Sequence, residues 1–208
     1  MRSKDVARLL IDTGAVIVRP EQPFVFASGM VSPIYCDNRI LISLPKERGI
    51  LLKHLYGLIN DVAGMSWDVV AGVATSGIPF AAWVAMEYGK PMVYVREAAK
   101  DHGKKLNVEG IAREGQVSIL IEDLITTGKS ALSAVHALRA CGVTCDNCFA
   151  IFNYEFARAQ EAFAAQGVHL STLTGFSALV EVLKERKALQ DHELRAVVEW
   201  HQKESARP

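Results

Sequence analysis

No apolar run in this 208-residue chain approaches the length of a membrane-spanning helix. The first residues, Met1 to Asp5, carry no apolar signal core, so the expected compartment is the cytoplasm and no membrane partner is expected. An excess of charge is missing as well. Lys and Arg number 23 and so do Asp and Glu, which argues against general binding of nucleic acid or of a membrane surface. A polyanionic ligand would have to be met by a local cluster. Cysteine is scarce: Cys36, Cys141, Cys145 and Cys148. The Cys145-x-x-Cys148 spacing lacks a second pair or a nearby histidine to complete four zinc ligands, so these read as reduced, mostly buried thiols. Internal repeats and low-complexity tracts are absent too.

What is present is a regular alternation. Half the residues are hydrophobic, enough for one sizeable core, and residues 1–208 are expected to form a single domain. Ser3 to Thr13 reads as a short amphipathic helix. Phe24 to Ile42 reads as a small antiparallel element apart from the main sheet, and its polar cluster Asp37, Asn38, Arg39 fits either a site or an edge turn with an internal salt bridge. Pro45 is placed to start a helix with Leu51, Leu55, Leu58, Ile59 and Val62 on one stripe. Strands are predicted over Asp68 to Ala74, Met92 to Val95, Val117 to Ile121, Val143 to Phe152 and Val168 to Leu173. Helices are predicted over Ile78 to Tyr88 and Ala131 to Ala140, then around Phe176 to Leu183 and Leu194 to Val198. The order predicts an α/β fold, a mainly parallel central sheet with helices on both faces.

The richest stretch runs from Val117 to Ser130. An apolar strand ends in two adjacent carboxylates, Glu122 and Asp123, and a hydroxyl-rich turn of Thr126, Thr127, Gly128, Lys129 and Ser130 leads into a helix. Unpaired amides at that turn, with the helix dipole, favour a phosphate. The carboxylates would repel phosphate; they suit vicinal sugar hydroxyls, or Mg2+ directly or through water. A ribose 5-phosphate fits both halves. The Gly128-Lys129-Ser130 run is no nucleotide-binding P-loop, because Asp123 stands where that pattern needs its first glycine.

Ligands of parallel sheets bind beyond the carboxyl ends of the strands. That rule sets the turn Thr75, Ser76, Gly77 beside Glu122 and Asp123, as a second place for an anion or as an ordinary strand-to-helix turn. Arg96 to Gln116 reads as a loop of about twenty residues without structure of its own. Within it Lys100, His102 and Gly103 put cationic donors next to a flexible glycine, able to close over a departing pyrophosphate.

The 117–130 stretch resembles the phosphoribosyl pyrophosphate (PRPP) signature of the type I phosphoribosyltransferases. The 94–103 segment resembles the catalytic loop of the orotate phosphoribosyltransferases within that family, and Ser28 to Arg39 resembles their N-terminal hood. The resemblance spans nearly the whole chain. It implies transfer of the phosphoribosyl group of PRPP to orotate, giving orotidine 5′-monophosphate and pyrophosphate, with Mg2+ carried mainly by the pyrophosphate rather than by a protein metal site. It implies a hood built from residues 1–44 and part of the C-terminus. It implies a homodimer, in which some donors of loop 96–116 come from the neighbouring subunit. Catalysis would fall to Lys100, His102 and Asp123. Arg96, Lys100 and His102 would reach the pyrophosphate, with Thr75, Ser76 and Gly77 as a further PRPP-binding turn. Glu122 and Asp123 would hold the ribose, and the run from Leu124 and Ile125 through Thr126, Thr127, Gly128, Lys129 and Ser130 the 5′-phosphate. Thr126 would also lie near orotate, and Arg39 is the candidate for the orotate carboxylate.

Several positions depart from the family's pattern. Ala27, Val31, Ser76 and Glu97 stand where many members carry lysine, and the Asp-Arg pair that binds orotate after the fourth core strand in some members is missing. Two other readings stand beside this one: a phosphoribosyltransferase for another base, which a base panel separates, and a non-enzymatic PRPP sensor, which would need a basic surface or an added DNA-binding element.

Overall fold

In the computed structural model the chain is described over residues 2–26, 29–96 and 107–207, with Arg2 described in its backbone alone. A six-stranded sheet forms the centre. Its strands are β5 (Val69–Val73), β6 (Met92–Val95), β7 (Val108–Glu109), β8 (Val117–Ile125), β9 (Thr144–Asn153) and β10 (His169–Gly175). Their order is β10-β9-β8-β5-β6-β7, parallel throughout except for β7, which pairs antiparallel with β6. All five residues of β5 are buried, as expected of a strand covered on both faces.

The helices follow the apolar stripes. On one face lie α1 (Arg2–Asp12), α2 (Pro45–Val62), α3 (Gly77–Tyr88), α6 (Phe176–Glu185) and α7 (Asp191–Ser205), sharing a core with Leu10, Leu55, Phe80, Leu179 and Val197. On the other lie α4 (Lys129–Ala140) and α5 (Ala157–Ala165), through Val135, Leu138 and Phe163. Pro45 occupies the first turn of α2, where its missing N–H costs nothing. The Gly89 C-cap of α3 is left-handed, at φ 59°, and frees the chain to turn into β6.

The structure corrects the sequence reading in four places. The segment after Arg96 is not without structure: Val108 and Glu109 form β7, paired Tyr94↔Glu109 and Val95↔Val108. Glu122 and Asp123 do not follow their strand, because β8 continues through Ile125. Phe24 to Ile42 is not one antiparallel element. β2 (Phe24–Val25) pairs with β3 (Val31–Ser32), whereas β4 (Ile34–Cys36) pairs with β1 (Val16–Val18), and a 3-10 helix covers Asn38–Ser43. Helix α5 falls where no periodic signal stood. Two- and three-residue strands exist only through their partners, so no local pattern marks them.

Candidate active site

The carboxyl ends of β5 and β8 face a cavity of about 320 Å³. Its walls include Thr75 and Ser76 from the turn after β5, Glu122 to Ile125 from the end of β8, and Thr126 to Ser130 from the turn into α4. Arg39 and Asp37, from the N-terminal ribbons, close one side with Cys36. Gly77 sits under this wall as the first residue of α3, against the backbone of Ile121. Arg96 leaves β6 beside the same turn, since the Ala74 N–H bonds to the Val95 carbonyl at 2.8 Å. Its guanidinium pairs with Glu109 at 3.0 Å. Lys100 and His102 lie outside the described residues.

Two helix N-termini converge here, and neither α3 nor α4 is capped by a side chain. The positive ends of the two helix dipoles face the cavity; in α3 the Ile78 N–H bonds to the Thr75 carbonyl at 3.3 Å and Pro79 carries no N–H. Gly128 makes the entry to α4 possible in two ways. Its φ of +77° is left-handed, and a Cβ there would meet Phe163 of α5 at 2.6 Å. The peptide bond between Ala74 and Thr75 is cis.

Between the two helix ends lies the acid pair. Glu122 is buried, and its Oε1 accepts the Asp123 N–H at 3.0 Å. Burial first, and repulsion from Asp123 second, push the Glu122 carboxyl well above the usual carboxylate range. Burial raises Asp123 as well, while the hydrogen bond with Glu122 and the charge of Arg39 oppose that rise. The direction favours a proton held on Glu122 and the charge on Asp123. Such a pair can accept hydrogen bonds from vicinal hydroxyls without setting two full charges against a nearby phosphate.

Arg39 donates from Nε to Asp37 Oδ1 at 2.6 Å and from Nη2 to Oδ2 at 2.7 Å. The internal salt bridge of the Asp37-Asn38-Arg39 cluster is therefore real, and it holds Asp37 below its usual range. The same arginine still lines the cavity, so the two readings of that cluster do not exclude each other. Asn38, which the sequence reading did not separate from its neighbours, is wholly buried and donates from Nδ2 to the Asp123 carbonyl at 2.7 Å. Flanked by the charged Asp37 and Arg39, Asn38 carried no signal of its own in the sequence, and its buried partner is seen only in the fold.

A cavity at the carboxyl ends of parallel strands, set between two helix N-termini and lined by an adjacent carboxylate pair, defines the class, an α/β fold with its ligand cavity at the strand ends. The model of the phosphoribosyl transferase domain matches residues 46–162, and the chain belongs to that family. Its relatives narrow the placement. It is 41% identical to the orotate phosphoribosyltransferase of Coxiella burnetii over 96% of this chain and 95% of that one. It is similar to the crystal structure of orotate phosphoribosyltransferase from Aeropyrum pernix, with TM-score 0.78, 29% identity, and 89% and 99% of the two chains covered. It is also similar to the Mycobacterium tuberculosis orotate phosphoribosyltransferase in complex with PRPP, at TM-score 0.65 and 25% identity, covering 85% and 97%. Within the family the chain stands among the orotate phosphoribosyltransferases.

Proposed function

We infer that the protein transfers the 5-phosphoribosyl group from PRPP to orotate, forming orotidine 5′-monophosphate and pyrophosphate in pyrimidine biosynthesis. One observation carries the reading. The ends of α3 and α4, neither capped by a side chain, flank the Glu122–Asp123 pair in one cavity, and PRPP is a diol with a phosphate group on either side. The turn of Thr126 to Ser130, entered from Leu124 and Ile125, holds the 5′-phosphate. Glu122 and Asp123 hold the ribose hydroxyls. Thr75, Ser76 and Gly77, with Arg96, hold the pyrophosphate.

The reaction breaks the bond from the anomeric carbon to the pyrophosphate oxygen, whose electron pair leaves with pyrophosphate. A ring nitrogen of orotate forms the new bond and gives up its proton to water, through an oxocarbenium-like state as in glycosyl transfer generally. Asp123, carrying the pair's charge, steadies the ribose as positive charge grows on it. Lys100 and His102 meet the charge that collects on the leaving group, with His102 as a donor. Thr126 and Arg39 face the base, and Arg39 supplies the cation for the orotate carboxylate.

Mg2+ fits this donor set. The carboxylates offer the hard oxygens it takes, and it commonly binds through substrate phosphates with few protein ligands. When bound it neutralises the pyrophosphate. A homodimer suits α3, whose only charged residue is Glu87 and which leaves Met86 77% exposed beside half-buried Trp83. A helix apolar on all sides calls for cover. Loop 96–116 would then be shared between subunits. The hood comprises residues 1–44 with part of the C-terminus, and the compartment is the cytoplasm. No described helix is long and apolar enough to cross a membrane.

The test follows the loss of orotate absorbance with PRPP and Mg2+. Wild type should turn over, and Lys100→Ala should fall by at least about a hundredfold. No turnover with orotate, but turnover with a purine base, would replace the reading with another phosphoribosyltransferase activity. An unaffected Lys100→Ala would remove the loop from the mechanism.

A further inference from the structure

We propose that Asn38 is a positioning residue for the ribose-binding carboxylates, acting through the backbone of Asp123. The inference rests on the reading above, in which Asp123 holds the ribose of PRPP. β5 runs alongside β8 only as far as the pair Gly72↔Ile121, because the chain then leaves β5 for the Thr75 turn. Asp123 lies beyond that last pair, on the part of β8 that has lost β5 as its neighbour. Two side chains take over there. The Glu122 carboxylate accepts the Asp123 N–H at 3.0 Å, and the Asn38 amide donates to the Asp123 carbonyl at 2.7 Å.

Asn38 is well placed for this and for little else. Its side chain has no exposure, so it cannot touch substrate. Its amide is fixed from behind by the Cys36 thiol, which donates to Oδ1 at 3.6 Å, so the amide presents NH2 towards β8. The segment that carries it is itself anchored. Asp37 N–H bonds to the Ala15 carbonyl at 2.7 Å, and the Tyr154 hydroxyl donates to the Ile34 carbonyl at 3.3 Å. The N-terminal ribbons are thus tied to the acid pair by one hydrogen bond between residues 85 apart in sequence. Any change in how the ribbons sit is passed to the Asp123 carboxylate, and ribose binding reports back on the ribbons.

A residue that only holds the fold together would weaken every ligand alike. A residue that sets Asp123 would affect the ligand carrying the ribose and spare one that lacks it. The experiment measures the dissociation constants of PRPP and of inorganic pyrophosphate for wild type, Asn38→Ala and Asn38→Ser. Asn38→Ser keeps a polar side chain that can pair locally but is too short to reach the Asp123 carbonyl, so it serves if the alanine variant does not fold. The expected result is PRPP bound about tenfold more weakly by the variants, with pyrophosphate within about twofold of wild type. Equal weakening of both ligands, or no change in either, overturns the proposal. Failure of the wild type to bind PRPP would instead count against the functional reading itself, so the two failures are distinct.

Discussion

The contact between α3 and β8 gives a severe test, because one substitution made at two glycines should have opposite signs. A Cβ added at Gly77 would stand 2.5 Å from the Ile121 carbonyl oxygen and 3.4 Å from the Glu122 Cα. Both neighbours are backbone of the strand that carries the acid pair, so neither can rotate away. The helix end would have to lift by at least about 0.5 Å, the kind of overpacking that costs about 1–3 kcal/mol. For a domain of this size that lowers Tm by about 2–12 °C. The effect on catalysis should be larger than the loss of stability suggests, because Gly77 begins the helix that follows the Thr75–Ser76 wall of the cavity. A misplacement of this order should lower kcat/KM by about ten- to a hundredfold. At Gly49, inside α2, an added Cβ meets nothing within 4 Å. Gly49→Ala should therefore stabilise by about 0.5–1 kcal/mol, raise Tm by a few degrees and leave kcat/KM unchanged. The assays are thermal unfolding and orotate turnover on both variants. Full activity and an unchanged Tm for Gly77→Ala would refute the close approach of α3 to β8.

Further outcomes follow from the same geometry. Glu122 has a folded-state pKa raised above its usual 4.5, so its contribution to stability is present below that value and is lost as pH rises through the folded pKa. In Glu122→Gln that loss disappears, and the Tm difference, variant minus wild type, should grow as pH rises above about 4.5; a difference that stays flat with rising pH would contradict the buried pair. Arg39→Ala should raise the KM for orotate by about tenfold with the KM for PRPP within about twofold. Parallel changes in both constants would remove Arg39 as the carboxylate's partner. Trp200 donates from Nε1 to the Val31 carbonyl at 2.7 Å, joining α7 to the N-terminal ribbons. Trp200→Phe should cost about 1 kcal/mol and lower Tm by about 2–4 °C, and an unchanged Tm would show that this bond carries no stability.

Some of these residues could be read in sequence order and some could not. The turn from Thr126 to Ser130 was legible because its pieces are consecutive: strand, acids, hydroxyls, a glycine and a helix start have to be neighbours in the chain to work. The Thr75 to Gly77 turn was legible only through the general rule on where parallel sheets bind ligands. Arg39 was picked out as a candidate for the orotate carboxylate and its cluster as fit for an internal salt bridge, and the fold adds that the pairing with Asp37 is bidentate while Arg39 lines the cavity. Helix α5 gave no periodic signal, since five of its nine residues are alanine and only Phe163 supplies a large apolar side chain. Yet Phe163 from that helix is what packs beneath Gly128.

The sequence by itself determined the alternation of strands and helices, the parallel sheet and the phosphate-binding turn. Each is written in periodicity or in contiguous residues, and burial on one face or two leaves a repeating mark on the chain. Tertiary structure decided the rest: the extension of β8 past its acids, the pairing that creates β1 and β7, the seat of α3 on Ile121, and the bond from Asn38 to Asp123. Those depend on groups brought together from distant parts of the chain, and a hydrogen bond between residues 85 apart imposes no local pattern that a reader of the sequence could find.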